Sequence, residues 1–118
     1  MVLPTSNGPS MTKIKRFSIY WFDPDPTKSS ELQKVRPGII ISPDEMNDYL
    51  RTVLIIQLTT TVIKWPFRVP IEIMGHQSSA ACDQLRAIDK SRLKDHIGNL
   101  SSKNQTSLTN VLRTIIVD

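Results

Sequence analysis

The sequence predicts a small, mainly β domain closed by one C-terminal helix: a twisted antiparallel sheet or SH3-like barrel with the helix packed on it. Three observations lead there. Short runs rich in β-branched and aromatic residues recur along the chain, separated by Pro, Gly and polar clusters. Near the C-terminus the apolar spacing changes from an alternating to a helical period. The length, 118 residues, suits one domain with its own core.

Each element follows in chain order. Residues 1–12 carry Pro4, Asn7, Gly8 and Pro9 and read as a flexible leader outside the fold, leaving 13–118 as the domain. Residues 14–22 (IKRFSIYWF) form a first strand. Two Asp-Pro steps and a polar tract then mark a long loop of the kind that often carries function. Residues 38–42 (GIIIS) form a buried strand, and 43–51 a connection with room for one helical turn. Residues 52–58 (TVLIIQL) are the strongest strand, closed by Thr59, Thr60 and Thr61. After a loop at 62–65, residues 66–73 form an edge or bulged strand, because Pro66 and Pro70 lack a ladder donor. Residues 74–79 read as a turn, 80–88 as one further strand, and 92–97 as a last short one. Leu108, Val111, Leu112, Ile115 and Ile116 then line one helical face, and Ser102 with Gln105 has the spacing of a capping box.

Composition removes several function classes. A single cysteine, Cys82, excludes a disulfide framework within the chain and a cysteine-based zinc cluster. It reads as a small buried thiol. His76 and His96 lie in no ligand-spaced cluster, and the acids at 23, 25, 44, 45 and 48 read as solvated turn residues, so no metal or other cofactor is expected. No apolar run approaches a membrane span, and the first ten residues lack the apolar stretch of a signal peptide, which makes the cytoplasm the expected compartment. Fifteen Lys and Arg against 11 Asp and Glu leave a net charge of +4, compatible with a polyanionic partner.

One constellation stands out. Arg36 precedes Pro37 and is therefore pushed toward an extended backbone at the mouth of the second strand. If that strand pairs antiparallel with 52–58, Arg36 and Thr59 meet at one rim of the sheet. The loop before Arg36 brings Glu31 and Lys34 to the same rim. A guanidinium, a hydroxyl and a carboxylate so placed suit a phosphodiester, because Arg presents forked donors to phosphate oxygens.

The same residues carry a family likeness. The block FDPDPTKSSELQKVRPGIIIS, the run TVLIIQLTTT followed by WPFRVPI, the segment CDQLRAIDKSRL and the closing LSSKNQTSLTNVLRTIIV resemble, in order, the MazF/PemK toxin family. The resemblance spans about residues 14–117 and implies a CcdB/PemK-like fold. It implies a cytoplasmic homodimer that cuts single-stranded RNA without a metal, by attack of the 2′-hydroxyl on the adjacent phosphate. A 2′,3′-cyclic phosphate and a 5′-hydroxyl result. It also implies a cognate antitoxin whose acidic C-terminal segment covers the site.

By that likeness Arg36 stabilises the phosphorane, Thr59 holds the scissile phosphate with Thr60 as the alternative one residue on, and Glu31 is a general base or orients Arg36. Asp83 and Gln84 line the RNA groove, the acid being proposed as catalytic in some members; Lys34 stands beside it, and Phe22 and Trp65 are placed to stack bases. Arg86 and Asp89 read as structural pairing residues. The chain departs from the family pattern at Ser29, Leu32 and Ala81, where relatives carry glycine, a polar residue and, in some, arginine. Two other readings share the architecture, a CcdB-type gyrase poison and a non-catalytic SH3-like module. The first depends on a tryptophan-bearing tail where this chain ends TIIVD.

Overall fold

The computed structural model describes residues 13–24, 35–60 and 65–116. The predicted leader, Glu31 and Lys34 lie outside the described residues. Seven strands and two helices follow in the order β1 (Ser18–Phe22), β2 (Arg36–Ile40), α1 (Asp44–Tyr49), β3 (Thr52–Thr59), β4 (Arg68–Ile73), β5 (His76–Ala81), β6 (Arg86–Asp89), β7 (Leu93–Asn99) and α2 (Ser102–Ile116). Every strand pairing is antiparallel. The sheet runs β4-β5-β3-β2-β1-β7, with β6 also paired to β3, and it curls into a half-barrel. The mainly β fold with a C-terminal helix is as the sequence predicts.

Alternation along the strands sends apolar side chains to both faces, and each face has a core. Ile19, Ile39, Ile56, Leu58, Val69 and Ile71 point one way and pack with Leu108 and Leu112 of α2. Tyr20, Phe22, Ile40, Val53, Ile55 and Ile88 point the other way and are joined by Ile14 and Leu93. Gly38 sits in this second core. A Cβ there would stand 2.7 Å from Ile55 Cδ1 and 2.8 Å from a Phe22 ring carbon, both on side chains that are fully buried. The missing side chain lets Phe22 and Ile55 close over β2.

The predicted elements shift at identifiable places. The first strand begins at Ser18, because Phe17 has φ 70°, an uncommon conformation for an aromatic residue. Three contacts hold Phe17 there: its N–H donates to Ile40 O (2.7 Å), its carbonyl accepts from Leu100 N–H (2.8 Å), and the Arg16 guanidinium lies over its ring. The connection at 43–51 is the short helix α1. Its buried Asn47 accepts from Ser42 Oγ and donates to Ser42 O (3.0 Å) and Ile14 O (3.3 Å). β4 starts at Arg68, after a turn closed by Arg68 N–H donating to Trp65 O (3.0 Å). It is an edge strand, as Pro70 requires. The turn expected over 74–79 is only Met74 and Gly75, both with positive φ, and β5 already begins at His76. The strand expected over 80–88 is two strands separated by a 3-10 turn at Cys82–Gln84. On α2 the cap is Ser101, not Ser102: Asn104 N–H donates to Ser101 Oγ (3.2 Å), and Gln105 Nε2 reaches back to Leu100 O (2.9 Å). Leu108 and Leu112 are buried, whereas Ile115 and Ile116 at the end of the predicted apolar stripe are exposed.

Gly38→Ala should cost about 1–3 kcal/mol, the usual toll of overpacking a filled core. Denaturant unfolding of the two proteins side by side measures it, with an unchanged m-value expected.

Candidate active site

The rim predicted from sequence is assembled by three strand ends. β1 ends at Phe22, β2 begins at Arg36 and β3 ends at Thr59. Phe22 pairs with Arg36 across β1 and β2. Gly38 pairs with Gln57 across β2 and β3, and the same register carried two residues toward the rim sets Arg36 opposite Thr59. Residues two apart on a strand share a face, so Arg36, Gln57 and Thr59 stand on the Gly38 side of the sheet. Arg36 is exposed, Thr59 half-buried and Thr60 exposed just past the strand end. Extended past its last pair, the β2–β3 register sets Arg36 and Thr59 at the same rim.

Two arginines fix the chain where it leaves this rim. Arg92 Nε donates to Asp23 O (2.7 Å), while Asp23 N–H donates back to Arg92 O (2.9 Å). Arg86 Nη2 donates to Pro24 O (2.8 Å). The backbone entering the long loop is thus held at two successive carbonyls by residues from distant parts of the sequence. Arg86 and Asp89 are structural, as read from the sequence, but not with each other. Asp89 Oδ1 accepts from Ser91 N–H (2.8 Å) and closes the turn before β7. That bond holds its carboxyl below the usual range.

A second cluster lies on the same face. Thr59 pairs with Ser79, Ser79 with Pro70, and Arg68 with Ala81, so Arg68 and Thr59 share one side of the sheet. Arg68 Nε donates to Asp83 Oδ1 (2.8 Å) and Nη2 to Asp83 Oδ2 (3.3 Å). The Arg68 guanidinium also lies 5.3 Å from the centroid of the Trp65 ring, which leans on Phe67 at 5.1 Å. The Arg68 side chain is only 9% exposed and that of Asp83 32% exposed, so the pair is more than a solvated surface contact. The two hydrogen bonds from Arg68 hold the Asp83 carboxyl below its ordinary range. Gln84 is exposed on the same 3-10 turn. Cys82 behind it is buried, and burial together with the Asp83 charge pushes its thiol up to about 11, which makes it an inert group.

One expected contact residue is corrected. Phe22 is 0% exposed, locked under Gly38 in the second core, and offers no ring face to a base. Trp65, 46% exposed, does. Among the described residues no group of three His, Cys, Asp or Glu side chains is placed to hold a metal ion. Arg68 is the residue that sequence reading missed. Its partner lies fifteen positions away, and the two meet because the β4–β5 register sets Arg68 against Ala81, two residues before Asp83. Two shallow hollows of about 280 and 210 Å³ lie on the α2 side of the sheet, around Phe17 and Arg113, apart from both clusters.

The depressed Asp83 carboxyl gives stability a pH dependence. Its contribution is complete above the ordinary carboxylate range and is lost as pH falls through the folded-state value. Asp83→Asn should therefore flatten the acid limb of stability between neutral pH and pH 3. Thermal melts of both proteins across that range measure it.

Comparison with known proteins agrees with this architecture. The sequence profile of the family described as "PemK-like, MazF-like toxin of type II toxin-antitoxin system" matches residues 15–116. The chain is 30% identical over 105 residues to the Endoribonuclease MazF of Staphylococcus saprophyticus, covering 84% of this chain and 88% of that protein. Among solved structures, it superposes on the Mycobacterium tuberculosis toxin MazF-mt6 with a TM-score of 0.69 at 23% identity, over 82% of this chain and 93% of that one. It also superposes on an endoribonuclease in complex with its cognate antitoxin from a mycobacterial species, with a TM-score of 0.73 at 20% identity, over 86% and 92% of the two chains.

Proposed function

The chain belongs to the PemK-like, MazF-like toxin family of type II toxin–antitoxin systems, and on that footing we propose that it is a sequence-specific endoribonuclease of single-stranded RNA, held in check by a cognate antitoxin. What supports the reading is the β2–β3 register, which, carried two residues past its last pair Gly38–Gln57, sets Arg36 opposite Thr59 at a rim where Arg92 and Arg86 hold the carbonyls of Asp23 and Pro24.

The reaction needs little from the protein besides positioning and charge. The 2′-oxygen of one nucleotide attacks the adjacent phosphorus. A P–O2′ bond forms, the P–O5′ bond breaks, and a 2′,3′-cyclic phosphate and a 5′-hydroxyl remain. The proton leaves the 2′-hydroxyl for a base, and another reaches the departing 5′-oxygen. Because the nucleophile belongs to the substrate, the chemistry requires no metal-bound water. Arg36 meets the charge that builds on the phosphorane oxygens, where fixed donors act most strongly. Thr59 Oγ1 hydrogen-bonds the scissile phosphate, with Thr60 next to it. Glu31 is the candidate base or the group that orients Arg36. Lys34, Asp83, Gln84 and Trp65 contact the strand on either side. The net charge of +4 suits both RNA and an acidic antitoxin segment that folds as it binds. The active form is a homodimer acting in the cytoplasm. Among the described residues no helix is long and apolar enough to cross a membrane.

Arg36→Ala and Thr59→Val should each lower kcat on single-stranded RNA by roughly 10²–10³, the range for removing one transition-state donor, with melting temperatures unchanged. A single 2′-deoxy substitution at the scissile nucleotide should abolish cutting, and EDTA should leave it intact. Wild-type rates from Arg36→Ala would sink the assignment.

A further inference from the structure

The Arg68–Asp83 pair is better built than a groove lining requires. Arg68 is paired with the small Ala81 across β4 and β5 and touches two groups at once. One end of the guanidinium grips both oxygens of Asp83, and its plane supports the Trp65 indole. The indole remains nearly half exposed. Arg68 is itself almost wholly covered, so its charge is spent on fixing neighbours more than on meeting solvent. A cation under an aromatic ring both orients it and strengthens stacking on it. The cluster stands on the Thr59 face of the sheet, two strands along from β3, so a strand of RNA lying across the rim passes over it.

We infer that Trp65, Arg68 and Asp83 form one preorganised subsite that binds a single unpaired nucleobase near the scissile step by stacking on Trp65, with Asp83 a positioning residue that locks Arg68. This deepens the nuclease reading and rests on it. Asp83 is a poor proton carrier in this setting. Both of its oxygens accept from Arg68, and a carboxyl held below its usual range binds protons weakly at neutral pH. The subsite explains why a carboxylate at an RNA-facing position does not repel the strand: its charge is neutralised by the guanidinium that it orients.

The test uses the full chain and a set of short RNAs carrying a 2′-deoxy nucleotide at the cut site, so that binding is read apart from cleavage. Abasic nucleotides are scanned one position at a time, and Kd is measured by fluorescence anisotropy. For wild type, one abasic position should weaken binding by about five- to a hundredfold, the usual worth of one stacked base. Trp65→Ala should lose that same factor on intact RNA and become indifferent to the abasic position, and Trp65→Phe should recover most of it. On cleavable RNA, Asp83→Asn and Arg68→Gln should raise KM several-fold while the kcat–pH profile keeps the wild-type shape. The double variant Trp65→Ala/Asp83→Asn should bind no worse than Trp65→Ala. An acid limb of kcat that disappears in Asp83→Asn would overturn the inference, as would the absence of any abasic position coupled to Trp65. Wild type that binds the 2′-deoxy RNAs with the expected coupling but cuts none of their unmodified counterparts would instead overturn the nuclease reading alone.

Discussion

The register between β2 and β3 is the constraint on which the rest depends. A strand's side chains alternate between faces, so a slip of one residue would turn Arg36 toward the α2 core and Pro37 toward the rim. Gly38 prevents that slip. It is the one position on the central strand where Phe22 and Ile55 can close over the backbone, and any other residue of β2 brought there would clash with both. The same two side chains seal the second core. Packing under the rim and chemistry on the rim are therefore coupled through one missing Cβ, and the guanidinium is positioned by hydrophobic burial a strand away from it.

A second departure from regular pairing creates the other half of the surface. β5 and β6 share one edge of β3, β5 beside Leu58 and Thr59 and β6 beside Thr52 through Ile55. Continued without interruption, the β5 ladder would set Asp83 against Ile55. Arg86 stands there instead, three residues later, because Cys82–Gln84 leaves the ladder as a 3-10 turn. That excursion lifts Asp83 to where Arg68 reaches it and brings Arg86 to the carbonyl of Pro24. Two clusters, Arg68–Asp83 and Arg86–Pro24, thus arise from a single three-residue insertion in the sheet, in keeping with the way bulged edges re-aim side chains.

The sequence made the strong elements legible and hid the weak ones, for physical reasons. TVLIIQL and the aliphatic run after Arg36-Pro37 declare themselves by composition, and their antiparallel pairing follows from adjacency, which is how Arg36 and Thr59 could be placed together before any coordinates. HQSSAA carries no β-branched residue and is a strand only because β3 and β4 flank it. The split at Cys82 is invisible for a related reason: local pattern reports which residues like a sheet, not where one edge must be shared by two segments. Phe22 shows the limit at the level of one side chain. Its place at a strand end beside the loop suggested a stacking surface, whereas the missing side chain at Gly38, diagonal to it on β2, made it core. The Arg68–Asp83 contact spans fifteen residues and required the register of β4 and β5, which no spacing rule supplies.

An open rim is the form that the proposed chemistry favours. When the nucleophile comes from the substrate, the protein need not bury a reactive group or strain one into place. It must present charge where charge develops and keep it from relaxing. Exposure of Arg36 is then no weakness, because the cost of desolvating a guanidinium in advance would not be recovered until RNA arrived. The expense is placed below instead, in backbone that cannot shift: the Gly38 closure, the carbonyls of Asp23 and Pro24 held from Arg92 and Arg86, and the short helix α1 moored through Asn47 to Ser42 and Ile14. Rigid strand ends give preorganisation without a pocket, and on the proposed reading they are also where an acidic antitoxin segment would compete with RNA.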